Sequence, residues 1–323
     1  MNPHKSPTLS RAHALTEVNA VIRAKLHSEV ALVSQIADYI IGAGGKRLRP
    51  RVLLLVAAAL GYSGSKAHQL AAVIELIHTA TLLHDDVVDE SELRRGRKTA
   101  NAMFGNAASV LVGDFLYSRA FQMMAEAGSM EVMDVLSEAT NVIAEGEVLQ
   151  LMNIGQADIG EESYLRVIRY KTAKLFEAAG RLGAIVANAD HTTKARMGEF
   201  GMRLGTAFQL TDDVLDYVGN ADTTGKNIGD DLAEGKPTLP LIRILSCGTA
   251  AEKAAVRMAI TEPGTVSLAT IQDALAANDA IGYTQRAAVV EAERAQDCLS
   301  GLPESDSKQT LLQFCALAVE RTS

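Results

Sequence analysis

Apolar residues recur through the middle of the chain at three- and four-residue intervals: Leu70, Val73, Ile74 and Ile77, then Leu82 and Leu83, and later Val135, Ile143, Val148 and Leu149. That spacing belongs to α-helices with a buried face, and no stretch shows a convincing two-residue alternation of a half-buried strand. Punctuation agrees with the period. The seven prolines are Pro3, Pro7, Pro50, Pro237, Pro240, Pro263 and Pro303, so none interrupts the interval between Arg51 and Lys236 from within. Glycine-containing breaks at 42–45, 61–64, 95–105 and 219–235 divide the chain into helical pieces, and Pro50 suits the first turn of one of them. The pattern predicts an all-α helix bundle of about ten or more helices. No composition shift, linker or repeat period marks a boundary, so one domain over residues 1–323 is expected. After Pro263 the signal weakens, and shorter helices with EPG and LPES as turns are expected.

Composition sharpens the picture. The chain has 323 residues, of which 48% are hydrophobic and 22% charged, enough to bury a sizeable core. A net charge of -8 argues against a general nucleic-acid binder, because neutralising a phosphate backbone needs a basic face. Cys247, Cys298 and Cys315 stand far apart, without zinc-ligand spacing, and read as reduced core thiols. The N-terminus lacks the apolar core of a secretory signal, and the longest strongly apolar run, Val52 to Leu60, is too short for a membrane span. A cytoplasmic location is expected.

Candidate chemistry begins at Leu82-Leu83-His84-Asp85-Asp86-Val87-Val88-Asp89, where an apolar helical run ends in three carboxylates. Asp85 and Asp89 are one turn apart and share a helix face, where their repulsion asks for a cation. A hard, oxygen-seeking ion such as Mg2+, completed by substrate phosphates, suits that arrangement. One DDxxD alone reads better as a solvated helix end. The pattern returns, however, as Asp212-Asp213-Val214-Leu215-Asp216, again closing an apolar run, from Met202 to Leu210. Two such clusters on separate helices can face each other across a bundle and share metal ions.

These residues resemble the trans-isoprenyl diphosphate synthase family, with the likeness running from about Gly44 to Leu241. The first motif continues through Arg94-Arg95-Gly96, matching DDxxD(x)nRRG; the second lies in Gly205-Thr206-Ala207-Phe208-Gln209-Leu210-Thr211-Asp212-Asp213, matching GxxFQxxDD. Gly44-Gly45-Lys46-Arg47-Leu48-Arg49-Pro50 looks like the GGKRxRP element, and Lys171-Thr172 and Gly235-Lys236-Pro237-Thr238 also match. The resemblance implies a helix bundle of the isoprenoid synthase type around a deep central cavity, and a homodimer. It implies that Asp85, Asp89, Asp212 and Asp216 hold Mg2+, that Lys46, Arg49, His78 and Arg95 hold isopentenyl diphosphate, and that Arg94, Lys171, Thr172, Gln209 and Lys226 hold the allylic diphosphate. Among these, Lys171, Thr172 and Gln209 carry the catalytic role. Diphosphates do need such clusters, since lysine and arginine give charge-assisted hydrogen bonds to their oxygens. The implied reaction ionises the allylic C1–O bond and lets isopentenyl diphosphate attack the cation. Phe208 and the carbonyl of a helix break near Lys171 would stabilise positive charge.

Product length has its own candidates. Thr81, Ala80, Ile77 and Ile74 lie upstream of Asp85 on roughly its face, and short-chain members of the family carry a bulky aromatic at four or five residues back. Ala80 and Thr81 are small, so the passage stays open. Ser109, Val112, Leu116, Ala120 and Met123 form a second stripe with Met123 as a candidate floor, a pattern that plain core packing also produces. The expected product is a long all-trans chain of the octaprenyl kind, grown on farnesyl diphosphate for a quinone side chain; a shorter geranylgeranyl product is the alternative.

Rival classes fit less of the chain. His84-Asp85 could belong to a metal-dependent HD-type phosphohydrolase, but that leaves the second DDxxD and GGKRLRP unexplained. Gly219 to Lys226 has the wrong spacing for a P-loop, with Asn227 where Ser or Thr is required. Terpene cyclases share one DDxxD but mix Asn, Ser or Thr with Glu in the second motif. A non-catalytic partner subunit would be expected to have lost aspartates.

Overall fold

The computed structural model describes residues 11–42, 44–94, 96–218 and 229–320. The all-α expectation holds. Four helices, α1 (Arg11–Lys25), α2 (Ala31–Gly42), α3 (Leu48–Ala59) and α4 (Lys66–Val88), lead to a small antiparallel ribbon, β1 (Leu93–Arg94) with β2 (Arg97–Lys98), in register Arg94 to Arg97. Next come α5 (Ala100–Phe104), α6 (Asn106–Glu126), α7 (Met130–Asn153) and α8 (Glu161–Ile168). A π-helical turn, Arg169–Ala173, joins α8 to α9 (Lys174–Val186), and α10 (His191–Val218) follows. The remaining helices among the described residues are α11 (Asp230–Ala233), α12 (Leu239–Cys247), α13 (Ala250–Thr261), α14 (Leu268–Ala277), α15 (Ala280–Cys298) and α16 (Asp306–Val319).

Local signals set these boundaries. Side chains of Thr99, Ser129, Ser267 and Ser305 accept hydrogen bonds from the first turns of α5, α7, α14 and α16, and Thr249 with Glu252 forms a capping box on α13. Pro50 sits in the first turn of α3, where its missing N–H costs no helical bond. The tail corrects the expectation of short helices: α15 runs 19 residues, buried on a face built mostly of alanines that contribute little to an apolar count.

Every residue from Leu70 to Ile77 on α4 is buried, so this helix runs through the centre and not along the surface. It packs on α6, on α3 and on α9; α9 in turn packs on α10 and α3. Small residues bring α9 and α10 into backbone contact. A Cβ added at Gly205 would stand 2.7 Å from the Ala173 Cα, and one at Gly201 would strike the Phe176 carbonyl, so only glycine permits this approach. The end of α10 is thereby drawn alongside the π turn. The cysteine expectation is only partly met: Cys315 is buried, Cys298 is partly so, and Cys247 is exposed at the end of α12. No described helix is long and apolar enough to cross a membrane.

Candidate active site

A cavity of about 830 Å³ opens between the ends of α4 and α10, with walls from the start of α3, from α7 and from the π turn. Asp85 and Asp89 line it from α4, and Asp212 and Asp216 from α10. The two acidic clusters therefore share one space, although most of the chain's core helices separate them in sequence. Lys46, Arg49, His78, Arg94, Lys171, Thr172 and Gln209 line the same cavity. Arg95 and Lys226 lie outside the described residues.

Each group has an identifiable support. Gly44 and Gly45 adopt φ of 73° and 142°, and Arg47 follows in the left-handed region at 48°, so the loop before α3 makes a turn that few side chains tolerate. Arg47 is anchored by an ion pair with the buried Glu75 of α4 and donates from Nη2 to the Ile41 carbonyl at 3.2 Å. Its neighbour Arg49 meets His78 Nε2 through Nη1 at 3.1 Å and lies over the Phe176 ring, 4.5 Å from its centroid. These contacts gather one cationic patch at the junction of α3 and α4.

The second patch surrounds the aspartates. Lys171 Nζ stands 2.6 Å from Glu147 and 3.6 Å from Asp85, while Lys236 Nζ stands 3.3 Å from Asp89 and pairs also with Glu234. Gly146 allows the π turn to rest on α7, since a Cβ there would come within 2.6 Å of the Lys171 backbone nitrogen. Lys171 is thus aimed at Glu147 and Asp85 by backbone geometry as well as by charge. The expected helix break near Lys171 is this π turn. Across the cavity, Thr172 Oγ1 donates to Gln209 Oε1 at 3.0 Å, and Gln209 Nε2 donates to Asp213 at 2.9 Å. Asp216 Oδ2 accepts from the Asp231 N–H at 3.2 Å.

The electrostatics follow from crowding acids away from water. Burial pushes the Asp85 carboxyl up against the opposing pull of Lys171, and burial likewise lifts Glu147 to about 7 despite Lys171 beside it. Burial disfavours the charge on Lys171, but Asp85 and Glu147 outweigh it and hold the ammonium charged; Asp89 and Glu234 do the same for Lys236. Among the described residues no three acidic, histidine or cysteine groups gather closely enough to chelate one ion by themselves. Carboxylates spread across a wide cavity suit an ion whose coordination is completed by phosphate oxygens and water.

Several lining groups carried no readable signal. Glu147 is one acid among several on an amphipathic helix. Glu75 does have a signal, as the lone acid within the apolar run from Leu70 to Ile77. The length candidates divide: Thr81 lines the cavity, whereas Ala80 and Met123 are fully buried and do not line it. Phe208 lines the cavity and tilts against Phe176, with ring centroids 6.1 Å apart. His84, the anchor of the phosphohydrolase reading, faces α6 instead: Nε2 lies 3.2 Å from the Val110 carbonyl and 3.4 Å from Asp114, and the ring stacks on Tyr117.

Comparison with known proteins decides the family. The model of the Polyprenyl synthetase family matches residues 30–277. The chain belongs to this family. It is 50% identical over 322 residues to the octaprenyl diphosphate synthase of Escherichia coli K12, covering 99% of each chain. The crystal structure of a decaprenyl diphosphate synthase from Rhodobacter capsulatus is 42% identical, covers 97% of each chain and superposes with a TM-score of 0.92. A polyprenyl synthase from Caulobacter crescentus, solved with calcium and isoprenyl diphosphate, is 40% identical, covers 99% of this chain and all of that one, and has the same TM-score. The polyprenyl synthetase described here is accordingly a long-chain trans-prenyltransferase with the all-α fold of its relatives. The HD-type phosphohydrolase reading is set aside, because His84 points away from the cavity and the family is a different one.

Proposed function

We propose that this polyprenyl synthetase adds successive isopentenyl units to farnesyl diphosphate and releases all-trans octaprenyl diphosphate for a quinone side chain. The observation that carries the reading is the shared cavity, in which two aspartate clusters face two separate sets of cations. In this reading Asp85, Asp89, Asp212 and Asp216 hold Mg2+. Bound there, the ion supplies Lewis-acid neutralisation of the allylic diphosphate, and the calcium in the Caulobacter relative supports a divalent site.

The chain's own residues do the rest. Arg94, Lys171, Thr172, Gln209 and Lys226 grip the allylic diphosphate, with Lys171, Thr172 and Gln209 nearest the bond that breaks. Their positive charge and donors meet negative charge as it accumulates on the leaving group. Lys46, Arg49, His78 and Arg95 hold isopentenyl diphosphate with its double bond towards C1 of the allylic cation, converting an encounter into an oriented step. Ile143, Ile168, Phe176 and Phe208 give the cavity apolar wall that keeps water from the cation. The departing diphosphate then accepts the final proton.

Growth proceeds past the small side chains of Ala80 and Thr81, with Met123 as the floor. The same reading takes residues 1–323 as one domain and the working unit as a cytoplasmic homodimer. Support for the dimer comes from apolar side chains left exposed on α6 and α7: Leu111 at 66%, and Val148 and Met152 one turn apart on α7 with Leu151 exposed beside them. Incubation with labelled isopentenyl diphosphate and farnesyl diphosphate tests the reaction. A ladder ending at octaprenyl is expected on reversed-phase chromatography, with Ala80→Phe ending it earlier. A wild-type ladder that stops at geranylgeranyl, or an Ala80→Phe product of unchanged length, overturns the long-chain assignment or the ruler respectively.

A further inference from the structure

Successive residues on an α-helix point about 100° apart, whereas residues four apart diverge by only about 40°. In each DDxxD the second aspartate therefore leaves the face that the first and last share. Asp86 and Asp213 are both almost completely buried, at 0% and 2% exposure, a costly place for a carboxylate without partners. What they hold is instructive.

Asp86 Oδ1 receives Arg94 Nε at 2.7 Å and Nη2 at 2.6 Å. Its backbone carbonyl accepts from Ser91 N and Asn101 Nδ2, both at 3.0 Å, which folds the segment carrying Arg94 back onto the end of α4. Asp213 Oδ1 receives Gln209 Nε2, and Oδ2 pairs with the Tyr164 hydroxyl; Gln209 Oε1 in turn receives Thr172. In both motifs the group so held, Arg94 in one and Gln209 with Thr172 in the other, reaches the cavity; Asp86 itself does not line it, whereas Asp213 and Tyr164 do.

We infer that Asp86 and Asp213 are positioning residues, each fixing diphosphate-binding side chains, and that Asp86, which stands behind the cavity wall, does not ligate a metal ion. The inference rests on the proposed allylic role of Arg94, Thr172 and Gln209. A buried carboxylate that takes two guanidinium nitrogens holds the arginine in one orientation before substrate arrives. The ordering cost that a free side chain pays on binding is thereby removed. The amide of Gln209, with its nitrogen committed to Asp213 and its oxygen to Thr172, is likewise fixed against rotation.

The test is an equilibrium one. Calorimetry with a farnesyl diphosphate analogue bearing sulfur in place of the bridging C1 oxygen, at saturating Mg2+, gives dissociation constants without turnover. Asp86→Asn and Arg94→Lys should each weaken binding by about tenfold, the scale of one charge-assisted hydrogen bond. Because Asp86 acts through Arg94, the double variant should be no more than about twofold weaker than the worse single variant. The Mg2+ concentration for half-maximal analogue binding should stay near the wild-type value in Asp86→Asn and rise in Asp85→Asn. Multiplicative losses in the double variant, or a Mg2+ requirement that rises in Asp86→Asn as it does in Asp85→Asn, overturn the inference while leaving the allylic assignment standing. Unweakened binding in Arg94→Lys overturns that assignment first and the inference with it. For the second motif, Tyr164→Phe removes one bond to Asp213 without touching the carboxylate, so it serves where Asp213→Asn does not fold. Its loss should vanish in a Gln209→Ala background, and persistence of the loss there counts against the inference.

Discussion

The pair of Arg47 and Glu75 shows how one buried charge supports a binding loop. Their side chains are only 11% and 7% exposed, so removing one partner strands the other out of water. Glu75→Ala is expected to lower stability by about 3–5 kcal/mol in urea unfolding. The same variant should raise the KM for isopentenyl diphosphate more than that for the allylic substrate, since Glu75 holds Arg47 between Lys46 on the loop and Arg49 in the first turn of α3. Thiol labelling probes a second set of residues. Burial pushes the Cys315 thiol up to about 12, so at pH 8 it is protonated and screened, whereas Cys247 is exposed. A disulfide reagent at that pH should consume Cys247 within seconds to minutes and reach Cys315 only after denaturant is added.

Among the elements, the π turn and its seat on α7 invite the sharpest change. Gly146→Ala would drive a methyl group between Lys171 N at 2.6 Å and Tyr170 Cβ at 2.8 Å, forcing the turn off the helix. Overpacking of this kind costs about 1–3 kcal/mol, and the displaced Lys171 should reduce prenyl transfer by about tenfold or more with helical circular dichroism unchanged. The turn is expected near Lys171 only through the family resemblance and its glycine not at all, because Arg169 to Ala173 continues the composition of α8 and α9 without Gly or Pro. The long helices were legible for the opposite reason: Leu70 to Ile77 and Met202 to Leu210 carry their own period. Both aspartate motifs stood out because carboxylates at one-turn spacing ending apolar runs need an explanation. Glu147 and Tyr164 did not, since their meaning comes from contacts with Lys171 and Asp213, residues distant in the chain. The alanine-rich face of α15 hid a 19-residue helix in the same way.

At the scale of the molecule, the exposed apolar faces of α6 and α7 bear on assembly. Sedimentation of the wild-type protein is expected to give twice the chain mass, and Leu111→Glu with Met152→Glu to give the single chain, each with an unaltered helical spectrum. The interior raises a different matter. Tyr164 and Ile168 on α8 pack into a cluster with Leu210, Leu239 and Ile242, while Leu175, Phe176 and Ala179 on α9 belong to the large core with α3 and α4. One nearly continuous rod therefore serves two separate interiors, and it can do so because five wide-wound residues at its middle shift the rotational phase of everything beyond them. Losing a single residue from 169–173 would leave both halves helical and equally oily, yet turn one of them to face the wrong neighbour, so the count of residues in that turn is as binding a specification as their identity.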